Sequence, residues 1–212
     1  MNPLTALAFF DIVRGDGHAA IVNNAAASAL GRMIIRLGRT SGITVINIVR
    51  RRDQADLLRA LGAEHVLDSR DERFALTLRD VTHRFNATLV LDPVGGTQLQ
   101  TLVDAAPFGS TIVVYAALAG EPSVFNARTL AGEDKKIVGF YLGNWAARKG
   151  IVGTLRDPLR VQRLAGTDLQ TTVHRRYPLS AAQAAVDAYR MDMTAGKVLL
   201  VANPDQVTGL QP

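Results

Sequence analysis

Ala19-Ala20-Ile21-Val22-Asn23-Asn24-Ala25-Ala26-Ala27-Ser28-Ala29-Leu30-Gly31 passes from a wholly apolar run, through one tight turn, into a helical repeat. A short apolar run such as Ala19 to Val22 is the mark of a strand covered on both faces. From Ser28 the period changes. Leu30, Met33, Ile34 and Leu37 recur at helical spacing, with Arg32, Arg36 and Arg39 elsewhere on the wheel. Gly42 ends this helix, and Ile43 to Val49 predicts a second β-branched strand.

Working outward, the same alternation continues on both sides. Upstream, Asn2-Pro3-Leu4-Thr5 predicts a helix start, with Asn2 as cap and proline at the first helical position, running to about Ile12 and broken at Gly15-Asp16-Gly17. Downstream, a helix from Asp53 to Leu61 stops at Gly62, and His65 to Leu67 is a short strand. Phe74, Leu78, Val81 and Phe85 make one helical stripe, followed by a strand at Thr88 to Leu91. Leu99, Leu102 and Val103 mark a helix before the strand Thr111 to Tyr115. Lys136 to Leu142 predicts a last strand, with a helix around Leu155 to Leu164. The tail gives a strand at Thr171 to His174, a helix from Ser180 to about Met191, and a strand at Val198 to Val201. Strands alternating with helices at this spacing require right-handed crossovers and a parallel sheet, so the fold class is doubly wound α/β, Rossmann-like. Residues 1–170 form the expected dinucleotide domain. Residues 171–212 hold too little core to stand alone and are expected to belong to a larger partner domain.

Composition narrows the function classes. The 212 residues are 48% hydrophobic and 20% charged, as in a soluble globular protein, and no apolar run reaches membrane-spanning length. The absence of cysteine excludes disulfides and thiolate zinc sites, and it fits a reducing compartment; a cytoplasmic location is expected. The net charge of +5 sits in short clusters, Arg50-Arg51-Arg52 and Arg175-Arg176, and only 6% of residues are aromatic. That is a poor match to a nucleic-acid surface, which pairs a basic stripe with stacking rings. His18, His65, His83 and His174 lack metal-ligand spacing, so no metal is expected.

The candidate chemistry lies in two places. In a doubly wound sheet the first strand-to-helix turn meets a pyrophosphate, because the helix N-terminus offers unbonded amides and the positive end of its dipole. Here that turn is Asn23 to Gly31, with alanine and serine where glycines usually allow close approach. Alone it is equally a tight turn with a serine cap. One strand later, Ile48-Val49-Arg50-Arg51-Arg52 has no acid before Asp53, where NAD-binding domains place a carboxylate for the ribose 2′-hydroxyl. Arginines there pair with a 2′-phosphate, so NADP(H) is the expected cofactor. Tyr115 ends the fifth strand, at the edge where open sheets dock ligands. Asp92, in Leu91-Asp92-Pro93-Val94-Gly95-Gly96, reads as a turn former.

These segments together resemble the medium-chain dehydrogenase/reductase superfamily, and within it the zinc-independent 2-enoyl thioester reductases of the trans-2-enoyl-CoA type and the NADPH quinone reductases. The likeness is carried in order by Asn2-Pro3-Leu4-Thr5-Ala6, Ala27-Ser28-Ala29-Leu30-Gly31, Val49-Arg50-Arg51-Arg52, Leu61-Gly62-Ala63-Glu64-His65-Val66, Tyr115-Ala116-Ala117-Leu118 and Gly139-Phe140-Tyr141-Leu142-Gly143-Asn144-Trp145. The resemblance implies that Asn2 reaches the cofactor from the leading helix. It implies that Ala27, Ser28, Ala29 and Leu30 bind the pyrophosphate, and that Arg50, Arg51 and Arg52 meet the 2′-phosphate. Tyr115, Ala116, Ala117 and Leu118, with Phe140, Tyr141 and Leu142, would line the nicotinamide, and Lys197 would meet the phosphates. It also implies a homodimer through the edge strand 136–142, and a small-molecule substrate, either an enoyl thioester, a quinone or a related carbonyl.

Relatives of this kind begin with a β-rich substrate domain of about a hundred residues, which supplies the catalytic tyrosine. This chain starts at the cofactor domain, so no catalytic residue is assigned and little turnover is expected of the chain alone. Two other functions compete: a zinc-type alcohol dehydrogenase fragment, and a non-catalytic NADPH-binding module.

Overall fold

The computed structural model describes residues 1–202, which divide into two compact units, Met1–Leu169 and the segment from Gln170 onward. The first unit is an alternating series: α1 (Asn2–Asp16), β1 (Ala20–Asn23), α2 (Ala29–Ser41), β2 (Thr44–Val49), α3 (Arg52–Ala60), β3 (His65–Asp68), α4 (Phe74–Arg84), β4 (Leu89–Asp92), α5 (Gln98–Ala105), β5 (Thr111–Val114), α6 (Ala127–Gly132), β6 (Lys136–Gly139), α7 (Leu142–Arg148) and α8 (Gly150–Leu164). Its six strands are all parallel, in the order β3-β2-β1-β4-β5-β6. This is the doubly wound α/β fold that the alternation predicts.

The central strands β1 and β4 are apolar on both faces because each face is covered. Along β1, Ile21 joins one core with Phe9, Phe10, Met33 and Ile34, while Val22 joins the other with Ile46, Ile48, Leu78 and Leu102. Along β4, Leu89 and Leu91 go to the first core and Val90 to the second. Successive side chains on a strand point to opposite faces, so a strand with two covered faces reads as one unbroken apolar run.

Several boundaries differ from the sequence reading. Asn2 is the first residue of α1 rather than its cap, a role taken by Met1 without a side-chain bond. That helix runs on through Gly15 to Asp16 and ends on Gly17, whose left-handed φ of 72° closes it. The last strand stops at Gly139 rather than Leu142, because the chain turns helical at Leu142. The helix expected around Leu155 begins at Gly150, and α6 and α7 had no predicted counterpart. An ion-pair network fixes α8 on α1. Lys149 Nζ reaches Asp157 at 2.8 Å and also Asp11, while Arg160 lies 3.2 Å from each carboxylate.

In the second unit, β7 (Val173–Pro178) and β8 (Lys197–Val201) form a parallel pair joined through α9 (Ala182–Met191). β7 replaces the shorter strand expected at Thr171 to His174.

Candidate functional site

The strand order reverses between β1 and β4: β1 carries β2 on one side and β4 on the other. Ligands of open α/β sheets bind outside the carboxyl ends of the strands at such a switch point. Three connections converge there: the turn from β1 to α2, the loop after β4 and the loop after β5. α1 precedes β1 through a short link and runs back along the sheet, so its N-terminal residue Asn2 lies toward the same carboxyl end.

The turn after β1 is tied both to itself and to the ends of the neighbouring strands β2 and β4. Ala26 N donates to Ile48 O at 3.0 Å, Ser28 N to Ala25 O at 3.0 Å, and Asn24 N to Leu91 O at 3.0 Å. Ser28 caps α2, its Oγ accepting from Gly31 N at 3.0 Å. Among the described residues, the amides of Ala27, Ala29 and Leu30 are left without a partner. Ser28, in contrast, has its amide committed to Ala25. Gly31 sits so close beneath Ala26 that an added Cβ would lie 2.7 Å from that residue's Cα and carbonyl carbon. The turn therefore packs directly on the first turn of α2.

Alanine at this turn fits only where no position needs a positive φ, and one does. Ala25 adopts φ 52°, the left-handed region that costs an ordinary residue about 1–2 kcal/mol. Glycine removes that strain and loses about 0.4–1 kcal/mol to the freer unfolded chain. Ala25→Gly should therefore stabilise the fold by about 0.5–1 kcal/mol, a rise of roughly 1–4 °C in melting temperature. Thermal denaturation decides it, and a lower melting temperature would contradict the left-handed turn.

At the end of β2, Arg50 is exposed and Arg52 opens α3, also exposed. Neither guanidinium has a partner among the described residues. Arg51 differs. Its Nε and Nη2 donate to the two carboxylate oxygens of Asp53 at 3.1 and 3.0 Å, which holds that carboxyl below the usual range. The arginine cluster thus offers two uncommitted cations rather than three.

The segments after β5 and β6 meet through α1. The Phe9 ring, in the first core, lies 5.1 Å from that of Tyr115 and 4.9 Å from that of Phe140, both of which pack partly buried against that core. The Tyr115 hydroxyl is buried without a hydrogen-bond partner among the described residues. Burial pushes its pKa up, and the charge of Asp92 adds to the shift. Beyond it, Ala116 is half-buried, Ala117 and Leu118 are exposed, and Leu118 N donates to Pro93 O at 3.0 Å. Tyr141 is exposed at the start of α7, which opens with the half-buried Leu142. Lys197 lies in the second unit, at the start of β8, with its Nζ 3.4 Å from Tyr189 Oη.

Sequence reasoning missed the most connected polar group of the site. Asp92 forms the expected turn, accepting from Val94 N at 2.9 Å and Gly95 N at 3.1 Å, but it is also fully buried and takes a third bond from Asn24 Nδ2 at 2.8 Å. These partners are 68 residues apart. No local pattern could reveal that, although an Asn-Asn pair ending an apolar strand is an anomaly that invites the question.

The residues present do not fit a zinc ion. The chain has no cysteine, and no group of three or more His, Asp or Glu side chains could hold a metal among the described residues. No helix among them is long and apolar enough to cross a membrane.

Comparison with known proteins agrees with this geometry. Mitochondrial enoyl-[acyl-carrier-protein] reductase of Homo sapiens is 28% identical over 94% of this chain and 55% of its own length. The Xenopus tropicalis protein of the same name is 31% identical over 74% of this chain and 48% of its own. The chain thus spans about half the length of the curated relatives it matches. Among solved structures, a Mesorhizobium loti protein assigned as an NADPH:quinone reductase superposes with a TM-score of 0.80 at 33% identity, covering 91% of this chain and 56% of that one. A mycobacterial protein crystallised with NADPH shares the fold, with a TM-score of 0.76 at 22% identity, covering 95% of this chain and 64% of that one. The profile of the zinc-binding dehydrogenases matches residues 29–156, more than half of the chain and the stretch that runs from the first turn of α2 through the arginines and both aromatic segments. By that match the chain belongs to the zinc-binding dehydrogenase family, within the medium-chain dehydrogenase/reductase superfamily that its motifs resemble.

Proposed function

We propose that this chain is the NADPH-holding part of an oxidoreductase that reduces enoyl thioesters or quinones by hydride transfer. The observation that carries the reading is the turn after β1. It offers the open amides of Ala27, Ala29 and Leu30 at the switch point of the sheet, one strand from the uncommitted Arg50 and Arg52. Unbonded amides at a helix N-terminus suit a pyrophosphate, and paired guanidinium groups suit a 2′-phosphate. The names of the relatives support the reaction class. Tyr115 to Leu118 and Phe140 to Leu142 would line the nicotinamide, with Asn2 reaching it from α1 and Lys197 serving the phosphates. The cofactor supplies the hydride, and these residues bind and orient it. The second unit we assign to packing against a substrate domain, and the whole to the cytoplasm.

Calorimetric titration tests the nucleotide reading. NADPH should bind at least about tenfold more tightly than NADH, which is about 1.4 kcal/mol. Arg50→Ala with Arg52→Ala should erase that preference and leave NADH nearly untouched. Equal affinities in the unchanged protein would sink the assignment.

The same reading includes a homodimer. Among the described residues β6 pairs with β5 alone, and Val138 is 40% exposed. An unpaired, apolar edge invites a second strand, and a two-fold contact is self-complementary. Light scattering should give twice the monomer mass, and Val138→Pro should shift it toward monomer by removing a ladder donor. A monomer at micromolar concentration would exclude this assembly.

A further inference from the structure

Asp92 is the most deeply buried carboxylate at the carboxyl edge of the sheet, and no lysine or arginine pairs with it among the described residues. Its charge is held by donors alone. Oδ1 accepts from Asn24 Nδ2 at 2.8 Å and Val94 N at 2.9 Å, and Oδ2 accepts from Gly95 N at 3.1 Å. A buried, unpaired charge is costly, and core packing does not require one. Its location is informative. Val94 and Gly95 belong to the loop after β4, whereas Asn24 opens the turn after β1.

The carboxylate can only accept, so it dictates the orientation of the Asn24 amide. Nδ2 must face Asp92, with Gln98 Oε1 at 3.2 Å as its second acceptor. Oδ1 must then face the other way, where it accepts from Ala25 N at 2.9 Å. Ala25 is the residue held at φ 52°. A strained residue keeps such a conformation only where its surroundings over-determine it. Here the surroundings are a chain of bonds from the loop after β4, through Asp92 and Asn24, to the Ala25 amide. Asp92 continues that chain to the third connection, since its carbonyl accepts from Tyr115 N at 3.1 Å.

We propose that Asn24 and Asp92 are positioning residues that latch the pyrophosphate turn to the loop after β4, so that the amides of Ala27, Ala29 and Leu30 are held ready for the nucleotide. Neither residue touches the reacting atoms. The proposal rests on the NADPH reading above, and it makes one distinction that reading does not. The latch acts on the pyrophosphate end of the site and leaves the arginines at the end of β2 alone.

The test titrates the unchanged chain, Asn24→Ala and Asp92→Asn with two ligands, NADPH and adenosine 2′-monophosphate. The second carries the 2′-phosphate and lacks the pyrophosphate. Both variants should lose at least tenfold in NADPH affinity while holding adenosine 2′-monophosphate within about twofold. A general loss of folding would weaken both ligands together, so parallel losses overturn the latch, as does full NADPH affinity in either variant. Failure of the unchanged chain to bind NADPH overturns the nucleotide reading itself, and the latch with it. A melting curve of each variant shows which population was titrated.

Discussion

Replacing Phe9 with alanine is expected to destabilise the fold by about 3–5 kcal/mol, the usual cost of emptying a buried aromatic site. The side chain is fully buried, and its ring joins Tyr115 to Phe140 at 5.1 and 4.9 Å. For a chain of this size the melting temperature should fall by roughly 6–20 °C. Domains have only about 5–15 kcal/mol of stability, so a large share is at stake. Phe9→Leu should recover most of the loss, because it refills the volume. Phe108→Ala, at a position 68% exposed, should change stability by less than about 0.5 kcal/mol. Equal effects at the two positions would mean that α1 does not pack as a core helix. Binding should respond as well. Phe9 contacts a ring of each segment proposed to line the nicotinamide, so a surviving folded fraction should bind NADPH more weakly.

Much of this architecture was legible because it rests on local rules. The central strands β1, β4 and β5 carry apolar runs because helices cover both of their faces, and α2 and α4 each carry a stripe at helical spacing. What stayed hidden was set at a distance. In α7 and α8, Gly143, Gly150, Gly153 and Pro158 all argue against helix, and Pro158 lies inside α8. Tertiary bonds overrule that propensity there: Lys149 lies 3.9 Å above the Trp145 ring and pairs with Asp11 and Asp157. The end of the last strand was misjudged for a related reason. Phe140 and Tyr141 are β-prone, but the ladder ends with Phe140, whose amide donates to Val114 O at 2.9 Å and whose ring packs on Phe9, and the chain then turns helical at Leu142.

The candidate site divides in the same way. The turn and the arginines were visible as departures from a glycine-rich turn and an acidic strand end. That Arg51 is neutralised by Asp53 was not, since spacing alone does not show which of three neighbours turns toward the helix start. Nor could spacing show Asn24 bonded to Asp92. The left-handed Ala25 was hidden too, because alanine is the residue that least advertises a positive φ.

Gly31 is where the turn and the helix are most tightly coupled, and Gly31→Ala should separate them. The new Cβ would stand 2.7 Å from the Cα and carbonyl carbon of Ala26, closer than such contacts occur, and backbone rather than a pliable side chain would have to move. Overpacking of this kind costs about 1–3 kcal/mol. The melting temperature should drop by roughly 2–12 °C. The binding effect should be larger than the stability effect. Either the turn lifts away from α2 or the helix retreats from the turn. Both displace the amides of Ala27, Ala29 and Leu30 relative to one another, and a pyrophosphate needs all three together. NADPH affinity should fall at least tenfold, about 1.4 kcal/mol, while the exposed arginines at the end of β2 keep their hold on adenosine 2′-monophosphate. Gly132→Ala is the matched control. That glycine is also helical, and a Cβ there would meet nothing within 4 Å, so the change should leave both ligands alone. If Gly31→Ala binds NADPH as the unchanged chain does, the close contact at Ala26 has no part in holding the nucleotide.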